Sequence, residues 1–127
     1  MSDLSKLHAG LLFCLHQHPQ LRISQLHMLL TIALKPGQTQ TELAVACDLT
    51  LSAVSRAMDV LGSSGRRDKI SSARMGWVET RRNQDDDRIL QVYLTKKGHE
   101  FVSLLEAMVY GSSILPRSEQ VESAVQA

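Results

Sequence analysis

The chain has 127 residues, 43% apolar and 21% charged, which is one core's worth of sequence and excludes a disordered or fibrous polymer. Lys plus Arg number 14 and Asp plus Glu 13, so a net charge of +1 leaves any polyanionic partner to be judged from how charge is distributed. Cys14 and Cys47 are too few for a disulfide-stapled secreted scaffold, and the apolar run Leu11 to Leu15 is too short for a leader core or membrane span, so a cytoplasmic protein is expected.

Apolar residues at 4, 7, 11, 12 and 15 predict a helix from Asp3 to about His16, closed by Pro19. Phe13 and Cys14 widen its apolar surface, so it is buried on two sides or packs against another chain. Ser24 is a good N-cap for a second helix carrying Leu26, Leu29, Leu30, Ala33 and Leu34, and Lys35-Pro36-Gly37 stops it. Thr39-Gln40-Thr41-Glu42 is a capping box opening a third helix, with Cys47-Asp48-Leu49 as the turn that follows. Thr50 or Ser52 caps a fourth, Leu51 to Leu61, with Val54, Met58 and Leu61 facing inward. Two short helices joined by a tight turn are the pattern of a helix-turn-helix.

Gly62-Ser63-Ser64-Gly65 breaks the pattern ahead of a basic stretch, Arg66 to Met75. The period then switches to two. Gly76 to Arg82 predicts a strand, Asn83-Gln84-Asp85 a turn, and Ile89 to Leu94 a returning strand with Leu90, Val92 and Leu94 on one face. A polar-tipped hairpin after a helix-turn-helix is a wing. Thr95 caps a last helix, Lys96 to about Tyr110, which Gly111-Ser112-Ser113 breaks. The expected class is mainly α (α+β): a winged helix-turn-helix with a two-stranded β-wing and N- and C-terminal dimerisation helices. As one domain over 1–127, it divides into an N-terminal helix (1–20), the winged helix with an insertion at 66–75 (21–95), and a C-terminal helix and tail (96–127).

Charge is uneven along this plan. Residues 56–88 hold 8 of the 14 cations: Arg56, Arg66, Arg67, Lys69, Arg74, Arg81, Arg82 and Arg88. Clustered Arg suits phosphates, since the planar guanidinium matches the anion and stays charged. A solvated surface is the plainer account of the same cluster.

These residues resemble the MarR-type (multiple-antibiotic-resistance regulator) winged-helix transcription factors over roughly Leu21 to Leu105. Thr41-Glu42-Leu43-Ala44 resembles the first helix of that family's DNA-binding pair. Leu51 to Leu61, with Ser52, Val54, Ser55, Arg56 and Leu61, resembles its recognition helix. Gly76-Trp77-Val78-Glu79 through Asp86-Asp87-Arg88 matches its wing, and Leu94-Thr95-Lys96-Lys97-Gly98 the opening of its dimerisation helix. Three features depart from the family: eleven residues inserted between Gly65 and Gly76, Asp87 where an Arg is common, and a short region after Gly98. A break followed by a short basic helix around Arg67 to Arg74 is the expected form of the insertion.

The resemblance implies a homodimeric regulator of transcription that binds double-stranded DNA, probing successive major grooves with its recognition helices and acting sterically as a repressor. Ser52, Ser55 and Arg56 would meet base edges, with Thr50 beside them; an ordinary polar helix face is the alternative. Arg88 would enter the minor groove, braced by Asp86, with Arg81 and Arg82 on phosphates; the alternative is a hairpin kept soluble. Arg66, Arg67, Lys69 and Arg74 add backbone contacts or form a basic loop with no fixed role. Thr39 and Thr41 sit where helix N–H groups attract a phosphate, though capping explains them equally. Leu4, Leu7, Leu11, Leu15, Phe101, Leu105 and Met108 would form the dimer seam, or in part the core of the chain itself.

A small aromatic effector is implied by the family alone. Cys14, next to Phe13, reads as a buried inert thiol, with a peroxide-sensing role as the competing idea; Cys47 reads as core. Cys14 and His18 share a helix face but lack a second ligand pair, so no metal or other cofactor is expected, and no catalytic motif is present. The chain is read as not an enzyme and not a membrane protein. The competing function is a winged helix repurposed to dock on polymerase or another regulator, motivated by the insertion and by Asp87.

Overall fold

Hydroxyl side chains start four of the five helices in the computed structural model of the chain, which describes residues 2–62 and 74–110. Ser2 caps α1 (Asp3–Gln17), Thr39 caps α3 (Gln40–Cys47), Thr50 caps α4 (Leu51–Leu61), and Thr95 accepts from the Gly98 N–H at 3.0 Å to cap α5 (Lys96–Tyr110). The exception is α2 (Ile23–Leu34). It begins at Arg22 rather than at Ser24, because the Gln25 side chain reaches back and accepts from the Arg22 backbone N–H at 2.9 Å.

The described residues fall into two compact units. The larger, Arg22–Phe101, holds α2, α3, α4 and a hairpin of β1 (Val78–Arg82) and β2 (Leu90–Leu94). The strands are antiparallel, with Val78 opposite Leu94, Thr80 opposite Val92 and Arg82 opposite Leu90. Both outer edges of the hairpin are engaged: Gln38 bridges to Val92 on one side and Gly62 to Val78 on the other. The core joins Met28, Leu29 and Ile32 of α2 to Leu43, Val54, Leu61, Trp77, Val78 and Val92, all essentially without solvent exposure. Burying each large side chain of this kind contributes about 1.5–3 kcal/mol before entropy is counted.

The α2 face differs from the expected one. Leu34 is 86% exposed, while Met28 and Ile32 are buried. Apolar residues surround α2, so its sequence offers two stripes of helical spacing, and the start at Arg22 does not choose between them; packing against α3, α4 and β2 does. Leu90 shares a face with Val92 and Leu94, as expected, but is 44% exposed because the strand there runs out past the core towards the hairpin tip.

Between α3 and α4 the chain turns on Asp48, whose φ of 56° lies in the left-handed region. Asp tolerates that region better than most residues. Its N–H and that of Leu49 close back on the carbonyls of Val45 and Ala44, which finishes α3 within two residues. The helix pair is therefore set tightly.

Trp77 ties the pieces together. Its N–H donates to the Leu61 carbonyl at 2.7 Å, its carbonyl accepts from Thr95, and its ring stacks on Phe101 at 4.0 Å between centroids. Gly98 passes so close to the Trp77 carbonyl that any Cβ there would collide with it. This gives the Leu-Thr-x-x-Gly sequence a physical meaning: Thr95 caps the helix and Gly98 lets it approach the strand.

The chain leaves α4 at Gly62 and returns at Arg74. Backbone N–H groups of Met75, Gly76 and Trp77 then donate to the carbonyls of Val60, Gly62 and Leu61. The expected basic helix at Arg67 to Arg74 lies, apart from Arg74, outside the described residues; Arg74 itself is not helical.

The smaller unit comprises α1 and the later part of α5. Gly10, Cys14 and Leu105 are buried in it. A Cβ on Gly10 would stand 2.6 Å from Val109 Cγ2, so glycine permits the two helices to touch. Leu4, Leu7, Leu11 and Leu15 remain 75%, 51%, 40% and 55% exposed. Among the described residues, no helix is long and apolar enough to cross a membrane.

Candidate nucleic-acid interface

The second helix of the helix-turn-helix presents two distinct sides. Val54, Ala57 and Leu61 are buried, with Met58 half-buried beside them. Ser52, Ser55, Arg56 and Asp59 are exposed, and their spacing of three and four residues puts them on the opposite side. Thr50 spends its oxygen on the cap, accepting from the Ala53 N–H at 3.0 Å. Arg56 is exposed and makes no hydrogen bond or ion pair among the described residues. Just ahead of this helix, Thr39 Oγ1 accepts from the Glu42 N–H at 3.1 Å and the Glu42 carboxylate accepts from the Thr39 N–H at 2.9 Å. Thr41 is exposed in the first turn of α3.

The wing is built differently. Asn83 organises its tip: Oδ1 accepts from the backbone N–H of Asp85 at 2.8 Å and of Asp86 at 3.0 Å, and Nδ2 donates to Gln91 at 3.2 Å. Gln91 in turn donates to the Gly37 carbonyl at 2.9 Å, which anchors the hairpin to the turn after α2. Sequence reading placed a turn at Asn83 without finding this role. An Asn that accepts from the backbone two residues on was the available signal.

All three wing arginines are engaged internally. Arg88 grips Asp86 bidentately, Nε to Oδ1 at 3.0 Å and Nη2 to Oδ2 at 2.9 Å, and its backbone N–H also donates to Oδ1. The Arg88 side chain and then its N–H hold the Asp86 carboxyl below the usual carboxylate range, and the pair raises the Arg88 guanidinium further. Arg81 donates to Glu79 Oε2 at 2.6 and 3.0 Å and lies over the Tyr93 ring, 4.3 Å from its centroid. Arg82 donates to the Asp87 carbonyl at 2.7 Å. The Arg88 side chain is nonetheless 86% exposed. Exposed pairs of this sort are weak, so a phosphate can compete with the acid.

Among the remaining candidates, Arg74 is half-buried and donates to the Asp59 carbonyl at 2.9 Å, which ties it to the end of α4. Arg66, Arg67 and Lys69 lie outside the described residues. Phe101, expected at the dimer seam or in the core of the chain itself, lies in the core: it is 6% exposed and stacks on Trp77. Leu105 is likewise buried inside the chain, beside Gly10, whereas Met108 is half-buried. Burial pushes the Cys14 thiol up, away from the reactive thiolate, and Cys47 is buried in the helix-turn-helix. Among the described residues, no three His, Cys, Asp or Glu side chains converge as metal ligands.

No protein-family profile matches the sequence, and no curated protein does. Solved structures do resemble the fold. A MarR family transcription regulator, SP03579, is 18% identical with a TM-score of 0.54, over 94% of this chain and 72% of that one. Streptococcus pneumoniae FabT, solved in complex with DNA, is 20% identical with a TM-score of 0.50, over 81% and 68%. Reduced AbfR bound to DNA is 25% identical with a TM-score of 0.50, over 95% and 76%.

Proposed function

We propose that this chain, whose fold is that of the MarR-family winged-helix regulators, binds double-stranded DNA and regulates transcription in the cytoplasm, as a homodimeric repressor. The observation that carries the reading is Arg56, exposed between Ser52, Ser55 and Asp59 on the outward side of α4 and without a partner among the described residues. A guanidinium so placed can take a guanine O6 and N7 bidentately in the major groove, with the serines reaching bases or phosphates. Arg81, Arg82 and Arg88 then meet the flanking backbone and minor groove, exchanging their internal acceptors for phosphate. Thr39, Thr41 and Thr50 bring two helix N-termini to the same partner. That AbfR, at 25% identity, was solved on DNA supports the same partner here.

The exposed stripe Leu4, Leu7, Leu11 and Leu15 supports the dimer. A second copy covering it would bring a second recognition helix to the complex, and a dimer that reads successive major grooves needs the pair about one DNA turn apart, roughly 34–36 Å. Repression then follows from occupancy of the promoter, and a small aromatic effector would act by changing that occupancy.

The test is fluorescence anisotropy on DNA from upstream of the chain's own gene and on a scrambled duplex, over a range of salt. Arg56→Ala is expected to lose about 1–3 kcal/mol on the selected site and to relax its specificity, while Arg88→Ala lowers the salt slope by about one. An absence of binding at low salt overturns the reading and favours a winged helix that docks on protein.

A further inference from the structure

Within the reading of α4 as a recognition helix, on which this inference rests, Asp59 is out of place. It shares the exposed side with Ser52, Ser55 and Arg56, so the face offered to a polyanion carries a carboxylate. It also lies in the last turn of α4, where the helix dipole disfavours an acid. Among the described residues no cation pairs with the carboxylate to offset these costs. Arg74 takes the Asp59 backbone carbonyl at 2.9 Å, and among the described residues the carboxylate itself has no hydrogen-bond or ion-pair partner. Arg56, three residues earlier and well placed to pair with it along the helix, does not.

We infer that Asp59 is a specificity-determining residue that accepts a hydrogen bond from the N4 amino group of a cytosine. The major groove offers a carboxylate few donors, and cytosine N4 is the one that acids read. Three helical residues separate Asp59 from Arg56 by about 4.5 Å along the axis, a little more than one base-pair step of roughly 3.4 Å. The cytosine therefore stands within a step or two of the guanine held by Arg56. Thymine at that position presents an O4 acceptor to the carboxylate and is repelled, so Asp59 discriminates by rejection as much as by attraction.

The full-length protein is to be used to select duplexes from a randomised pool, and each base pair of the preferred site is then changed in turn. The wild type is expected to lose roughly 5- to 150-fold in affinity when one C·G pair next to the Arg56-dependent guanine becomes T·A. Asp59→Asn, which preserves shape, should lose that discrimination at that pair alone and admit adenine, whose N6 and N7 suit an amide. Asp59→Ala should relax the same pair without admitting adenine. Neither variant should lower the urea midpoint, since the side chain is exposed and its charge opposes the helix dipole. The inference is overturned if both variants retain the wild-type preference at every pair. A pool that yields no preferred sequence with the wild type removes the DNA reading itself, and the inference with it.

Discussion

The second helix of the helix-turn-helix and the wing hold their charges in opposite ways. On α4 the guanidinium of Arg56 and the carboxylate of Asp59 stand exposed with no partner among the described residues, whereas each arginine of the hairpin already has an acceptor in Glu79, Asp86 or Asp87. The contrast follows from backbone geometry. A helix satisfies its own backbone and leaves an outward row of side chains idle, so those side chains can be kept for bases. A two-stranded hairpin is marginal alone, and its tip needs side chains to hold the turn. On the proposed function, the helix is a fixed reader, and the wing a braced arm whose contacts are exchanged for those of a partner.

The change expected to have the largest effect strikes the place where the two meet. Trp77→Ala removes the Phe101 stack and leaves a void between the end of α4 and the base of the wing, at a cost of about 3–5 kcal/mol. Urea denaturation should show one cooperative loss; survival of helix signal with only the wing lost would mean that the two are less coupled than their shared core implies. Asn83→Ala acts on the wing alone. It takes the acceptor from two backbone N–H groups, each worth about 0.5–1.5 kcal/mol, so hydrogen exchange should quicken at Asp85 and Asp86 while amides of α4 keep their protection.

The smallest effect concerns pH. The folded Asp86 carboxyl titrates below the unfolded value of about 3.9, so its contribution is present above that value and is lost as pH falls through the folded one. An NMR titration should find its midpoint depressed, and restored towards the ordinary range by Arg88→Gln. The wing brace should therefore be indifferent to pH between roughly 5 and 8. An Asp86 midpoint unmoved by Arg88→Gln would mean that the pair does not hold in solution.

Much of this was legible in the chain because local rules fixed it. The Thr39–Glu42 box and Thr50 placed α3 and α4 from their own side chains, and the change of period at Gly76 located the hairpin. What stayed hidden depended on partners distant in sequence. Nothing near Phe101 announces Trp77 as its neighbour, so its place, dimer seam or core, stayed open. The inward face of α2 was ambiguous because Leu26, Met28, Leu29, Leu30 and Ile32 nearly encircle it. At the site, spacing put Ser52, Ser55 and Arg56 on one side of α4, but the internal acceptors of Arg81 and Arg82 and the exposed acid at Asp59 emerged only with coordinates.

The closure at Gly62 bears on how such a chain can lengthen. Val60, Leu61 and Gly62 on one side and Met75, Gly76 and Trp77 on the other are hydrogen-bonded to each other although twelve residues lie between Gly62 and Met75. For a flexible insertion that leaves these bonds intact, loop closure costs about 0.6 kcal/mol more for each doubling of length. The junction between reader and arm is thus a port, where new sequence can be admitted to the chain without re-registering either surface.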